Sequence, residues 1–329
     1  MSNSPAHPRL ARWCWGTLAV TMVVILWGAV VRATGSGAGC GSHWPLCNGA
    51  VVPPSPTVAT LIEFSHRLTS GVSLLMVVVM LAWSRRVFRR GHPARTAVVV
   101  AMIVMLLEAA IGAGLVKFEL VADNASLARA LTLGAHLLNT LLLLAAIFLA
   151  AWWSGGAPPI RRDSFQRRDL ALVVAFGAMV MVGMTGAVTS LGDTLFPART
   201  LAEGLAQDRD PTAHWLIQLR IWHPVLAAAA GVYLLWLGQA APRWQPGRAV
   251  ELASRAITGL VIVQWCVGLA TLLLLVPMPL QLTHLLTADL LWLALVWLAA
   301  ATLADHSRTS EISSAAASAS TTFPAPSVR

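Results

Sequence analysis

Four of the nine histidines, His66, His136, His223 and His284, stand in stretches otherwise apolar enough to cross a bilayer. An ionisable side chain in hydrocarbon is costly, so each marks a ligand, proton or ion site by default. The bland reading of one such residue is a hydrogen bond between helices. Four residues in two repeated pairs, His66 with His136 and His223 with His284, weigh against it. Two facing neutral imidazoles can supply both axial ligands of a haem iron, and bundle interiors commonly house such sites. Zinc would want three or four ligands, often thiolate or carboxylate, and these stretches offer few. The remaining histidines lie elsewhere: His7, His92 and His306 in basic segments, His43 in a loop, and His214 at a helix mouth.

Charged neighbours make the two pairs unequal. Glu63 precedes His66 by three residues and so shares its helix face. A carboxylate there can move a proton or orient a reacting group, or it can hold the His66 ring. Arg220 takes the corresponding place before His223. Arg67 and Arg220 suit haem propionates, which guanidinium binds bidentately, or else they mark interfacial helix ends by snorkelling. A repeat that keeps its histidines and exchanges Glu63 for Arg220 implies divided labour, with chemistry in one half and a structural or electron-transferring site in the other. Glu108 and Asp289 carry less information, since either can simply bond between helices. Cys40 and Cys47 share the loop Gly39-Cys-Gly-Ser-His-Trp-Pro-Leu-Cys-Asn-Gly49. They read as a staple or as a redox-active thiol pair. Cys14 and Cys266 lie in apolar runs and read as small hydrophobes.

The elements that must position these groups are membrane helices. The chain is 57% hydrophobic and 11% charged, well below the quarter or so of charged residues in a soluble domain. A span needs about 20 mostly apolar residues. Eight stretches qualify: 13–31, 59–83, 96–116, 127–153, 170–190, 215–237, 249–276 and 280–304. The first lacks the cleavage site of a signal peptide and reads as a helix. The net charge of +9 does not point to nucleic acid, because the basic residues cluster in gaps between apolar runs. Sixteen of the 23 fall in one set of loops and seven in the other. The richer set is cytoplasmic, together with both termini, and the Cys40–Cys47 loop is then periplasmic.

The halves resemble one another. Gly28-Ala-Val-Val-Arg-Ala-Thr-Gly35 pairs with Gly186-Ala-Val-Thr-Ser-Leu-Gly192, and Glu63-Phe-Ser-His66 with Arg220-Ile-Trp-His223. Glu108-Ala-Ala-Ile-Gly112 pairs with Gln264-Trp-Cys-Val-Gly268, and His136-Leu-Leu with His284-Leu-Leu. Four matches in the same order predict an all-α polytopic membrane protein of two tandem, parallel-repeat four-helix bundles. The bundles occupy residues 1–154 and 170–306. A basic cytoplasmic linker spans 155–169, and a Ser/Ala/Thr-rich tail, 307–329, reads as disordered.

The motif Glu63-Phe-Ser-His66-Arg67, the loop Cys40…Trp44-Pro45-Leu46-Cys47-Asn48-Gly49 and the later His136, His223 and His284 resemble the haem A synthase family. The resemblance covers nearly the whole chain except the tail. It implies oxidation of the C8 methyl of haem O to a formyl group by successive hydroxylations, for cytochrome oxidase. It further implies a resident haem b on His223 and His284, and substrate haem on His66 and His136. Glu63 would be the catalytic carboxylate, and Cys40 and Cys47 would form a disulfide. Relatives often carry further cysteines in a second external loop. This chain has none there, so a second disulfide relay is not supported.

The implied setting is a bacterial inner membrane. The implied partners are a haem O synthase, an electron donor that the sequence does not identify, and membrane lipid; glycines such as Gly112, Gly114 and Gly183 suit helix packing either within the chain or between copies of it in a homo-oligomer. Two other classes compete. A di-haem b-type cytochrome passing electrons from quinol would use the same histidines and would not need Glu63. A transporter would show helix breaks near mid-membrane, and the strongest break candidate, Pro277-Met-Pro279, falls between spans.

Overall fold

The computed structural model describes residues 6–160 and 165–304. The tail 307–329, His306 and part of the linker lie outside the described residues. Ten α-helices follow in chain order: α1 (Pro8–Ala33), α2 (Val58–Val87), α3 (Pro93–Lys117), α4 (Leu127–Ser154), α5 (Arg167–Leu195), α6 (Leu201–Arg209), α7 (Trp215–Arg220), α8 (Trp222–Trp244), α9 (Arg248–Leu273) and α10 (Met278–Thr302). Eight spans are long and apolar enough to cross a membrane, α7 and α8 together making one of them. The chain is a multi-pass membrane protein. The described residues contain no strand, only the isolated bridges Cys47–Ala50 and Ile160–Ala304.

The helices start where their sequences say they should. Thr57 and Ser126 cap α2 and α4 through side-chain oxygens that accept from Thr60 and Arg129 amides. Histidine does the same work three times. Nδ1 of His7, His92 and His214 accepts from the amides of Leu10, Ala94 and Leu216, at 3.1, 3.2 and 3.3 Å. Behind His7 and His92 comes proline at the first helical position, where its missing N–H costs nothing.

Most spans extend a few residues beyond the purely apolar stretches, because helices run on into the interfacial layer. The sixth differs in kind. The apolar pattern predicts a single span over 215–237, but the helix breaks at Ile221 between α7 and α8. Pro224 is the cause. It has no N–H to give the carbonyl of Arg220, and its ring crowds that carbonyl. The break therefore falls directly before His223, at the end of the span rather than at mid-membrane.

In the first half α1 packs on α2 and α4, and α3 packs on the same two, so α2 and α4 stand diagonally. In the second half α9 packs on both α8 and α10, while α5 packs on α8 and only touches α10. The halves meet through α1 and α4 on one side and α5 and α10 on the other. Hydrophobic transfer does not drive association between helices in lipid. Close packing and interhelical hydrogen bonds take that role. Within the halves, Thr21 and Ser73 share a buried hydrogen bond of 2.8 Å between α1 and α2, and Tyr233 donates to the Ala171 carbonyl between α8 and α5. Between the halves, Trp292 Nε1 donates to the Leu141 carbonyl at 2.7 Å, and Arg32 reaches Ser190 and Thr194. Gly183 lets α5 close on Leu137 of α4. As a result α4 and α10 are the shielded helices, with 56% and 67% of their most apolar segments buried, against 22% for α2 and for the α7–α8 span.

Trp292→Phe deletes the donor to Leu141 and keeps most of the packing. The expected loss is about 1 kcal/mol, the net worth of one buried hydrogen bond to a carbonyl that keeps its helix partner. Thermal unfolding in detergent should show a lower midpoint, and an unchanged midpoint would mean that this contact does not hold the halves together.

Candidate functional site

The connections place the loop 34–57, α6 and the 274–277 turn at one end of the bundle, and all four intramembrane histidines lie toward that end. His66 rises from α2, His136 from α4, His223 from α8 and His284 from α10. Each is on one member of a diagonal pair.

Each imidazole rests against a glycine of an adjacent helix. A Cβ built on Gly28 would come within 3.0 Å of His66 Cε1, and one on Gly186 within 2.9 Å of His223 Cε1. On Gly268 it would come within 3.0 Å of His284 Cε1, and on Gly112 within 4.0 Å of His136 Cε1. These are the glycines of the repeated motifs. Their signal is in the sequence, where all four read only as fixed points of the repeat and Gly112 also as a helix-packing residue.

The second pair is brought together directly. The His223 and His284 rings lie 6.2 Å apart, centre to centre, with planes at 83°. Two imidazoles on one metal, with metal–nitrogen bonds of about 2 Å each, have ring centres about 6 Å apart, so the spacing suits an iron between them. Nδ1 of His223 lies 3.4 Å from Thr185 Oγ1 on α5. Nδ1 of His66, His136 and His284 are buried without a hydrogen-bond partner. Buried polar atoms left open in this way are unusual and ask for a ligand or a partner. Imidazole donors with unspent nitrogens in a glycine-walled bundle fit haem. Among the described residues no group of three or more His, Cys, Asp or Glu forms a metal cluster.

The charged neighbours do something the sequence does not disclose. Glu63 is buried, and both of its oxygens are engaged. Oε2 accepts from the Cys40 amide at 2.8 Å, and Oε1 accepts from Arg67 Nε at 3.1 Å and from its Nη2. Arg67 then donates through Nη1 to the carbonyls of His43 and Leu46, both at 2.7 Å. The pair thus fastens the cysteine loop to α2. Cys40 and Cys47 are disulfide-bonded and buried. Gly39 seats the loop on the start of α2, where an added Cβ would lie 2.5 Å from the Ala59 carbonyl. Arg220 performs a parallel task. It bonds Asp208, meets Asp193 at 3.3 Å, and donates to Gly204 and Gln207, tying α6 to the bundle. In this arrangement the guanidinium groups of Arg67 and Arg220 hold loop and helix rather than standing free for propionates.

Glu108 belongs to the site, although its sequence context gives it little weight. Its Oε1 lies 3.4 Å from His136 Nδ1 and accepts from Thr140, while Oε2 accepts from Asn139 Nδ2 at 2.5 Å. The His136 contact is close enough for charge attraction but long for a hydrogen bond, and Nδ1 remains unpartnered. Gln264 takes the matching place beside His284. Asp289 is buried with Oδ2 unpartnered.

Eight apolar helices with four imidazoles toward one end define a polytopic helical membrane protein. Residues 11–296 match the model of the cytochrome oxidase assembly proteins (COX15-CtaA), and the chain belongs to that family. A Thermus thermophilus protein described as a protohaem IX farnesyltransferase is 42% identical over 301 residues, 92% of this chain and 50% of its own length. A haem A synthase of Alkalihalophilus pseudofirmus is 38% identical over 112 residues, 34% of this chain and 38% of its own. One from Shouchella clausii is 41% identical over 112 residues, 34% and 37% of the two chains. This chain spans half the length of the Thermus relative.

Gly39→Ala should unseat the cysteine loop. The Cys40–Cys47 bond, now buried, should then be reduced by dithiothreitol several-fold faster than in the unaltered protein. An unchanged rate would show that the loop does not depend on this close approach.

Proposed function

We propose that the chain is a haem A synthase. It would oxidise the C8 methyl of haem O first to the alcohol and then to the geminal diol, which loses water to leave the formyl group. The observation that carries this reading is the inequality of two otherwise matching histidine pairs, one of them beside the buried Glu63. Membership of the cytochrome oxidase assembly family and the haem A synthases among the relatives support it.

His223 and His284 would hold a resident haem b, and His66 and His136 the substrate haem O. The resident group, when bound, supplies one-electron chemistry. The chain's own contribution is to set each ring by its glycine and to exclude water by burying the sites among apolar helices. Glu63 is fixed between Arg67 and the Cys40 amide, so its charge is held at a constant place near His66, where it can steady positive charge or take a proton as the methyl carbon is oxidised. By the positive-inside rule the basic loops would put the cysteine loop on the periplasmic side of a bacterial inner membrane.

The Thermus protein, twice as long and named for farnesyl transfer to protohaem IX, supports a partnership with the enzyme that makes haem O. A di-haem b-type cytochrome would use the same histidines, and analysis of the product separates the two.

In cells that also make haem O, chromatography of extracted haems should show haem A. Glu63→Gln keeps an acceptor for the Cys40 amide but loses the charge, and haem A should fall by about 10²-fold or more. Normal haem A from that variant would remove Glu63 from the chemistry. His223→Ala or His284→Ala should abolish the low-spin b-type spectrum of purified protein, and a retained bis-histidine spectrum would overturn the resident-site assignment.

A further inference from the structure

The two sites differ at a second position, and the difference is one of charge. Glu108 opens the motif that ends in Gly112, and Gln264 opens the matching motif that ends in Gly268. Both are one turn before a glycine that walls a histidine ring. Both are gripped by hydroxyl or amide groups lying one turn after that histidine on its own helix. Asn139 and Thr140 hold the two oxygens of Glu108, and Asn139 is itself braced on the Val104 carbonyl at 2.9 Å. Thr287 donates to Gln264 Oε1. The result is an anion 3.4 Å from His136 Nδ1 in the first half and a neutral amide, with Nε2 3.3 Å from His284 Nε2, in the second.

A histidine that ligates a metal generally donates its other ring N–H to a carboxylate, carbonyl or water, which fixes the tautomer and raises the basicity of the ligating nitrogen. His136 Nδ1 has no hydrogen-bond partner, and the nearest acceptor described for it is Glu108 Oε1. Closing that gap by a few tenths of an ångström gives a charge-assisted hydrogen bond. We propose that Glu108 is the positioning residue of His136. Its carboxylate accepts a hydrogen bond from Nδ1–H of the ring, presents Nε2 to the iron of the substrate haem, and makes His136 a stronger electron donor than His284, which the neutral Gln264 faces from the side of its Nε2. The haem in the first half then has a lower reduction potential than it would with a neutral neighbour. This rests on the haem assignments proposed above.

The test is a potentiometric titration of the haem-loaded, full-length protein, with low-temperature electron paramagnetic resonance to follow the ligand field at each iron. The first-half haem is identified as the one lost in His136→Ala. Glu108→Gln should move that haem to a more positive potential and change its g-values, while the other haem stays in place. Glu108→Asp should restore part of the shift. Gln264→Glu should move the second haem to a more negative potential, so the idea can be tested even if Glu108→Gln fails to fold. A first-half haem unmoved by Glu108→Gln, or a second haem unmoved by Gln264→Glu, would overturn the proposal. If the unaltered protein binds no haem that depends on His136, the functional reading fails instead, and Gln264→Glu still decides whether a carboxylate at this position tunes an axial histidine.

Discussion

An imidazole ring inside hydrocarbon needs room between helices and somewhere to spend its nitrogens, and two α-helices with ordinary side chains at the contact leave too little of the first. Glycine at the point of contact resolves this, since each missing Cβ is the volume a ring edge takes up. At Gly28, Gly186 and Gly268 an added Cβ would force the ring to shift, and Gly112 makes its room more loosely. The diagonal arrangement follows. A histidine can face inward from α2 or α4 only because α1 and α3 between them present glycine, and the same holds for α8 and α10 against α5 and α9.

Around this shared frame the halves diverge in how they treat charge. In the first, buried Glu63 pairs with half-buried Arg67, and their remaining hydrogen-bonding capacity is used on the cysteine loop, through the Cys40 amide and the carbonyls of His43 and Leu46. In the second, Arg220 is matched by Asp193 and Asp208 and secures α6. A buried charge is tolerated only when paired and fully hydrogen-bonded, and both arginines meet that condition. The histidine positions are therefore roofed by two unrelated segments, each bolted down by one guanidinium close in sequence to a histidine.

Much of this is legible in the sequence because the signal is local or repeated. Spans of about 20 apolar residues are hard to mistake, and His66, His136, His223 and His284 stand out as polar residues in apolar runs. The glycines are visible as the fixed ends of repeated motifs, yet their task is not, because a missing side chain does not say what fills its place. The break at Ile221 is hidden inside a hydrophobic run, although Pro224 is there to cause it. The roles of Glu63 and Glu108 are the least accessible. The main-chain partner of Glu63 is 23 residues away in an irregular loop, and those of Glu108 are 31 and 32 residues away on the next helix. Neither distance has a periodicity to betray it.

The unequal shielding of the spans has a consequence for traffic. In each half one histidine sits on a helix locked in the middle of the molecule, α4 or α10, and the other on a helix whose outer face looks into lipid, α2 or α8. The inner member is an anchor that cannot yield without parting the halves. The outer member packs mainly within its own half, against α1 and α3 or against α5 and α9, and can shift only by loosening those contacts. A guest with a long hydrocarbon tail would meet the least protein on that lipid-facing side, in the plane of the bilayer.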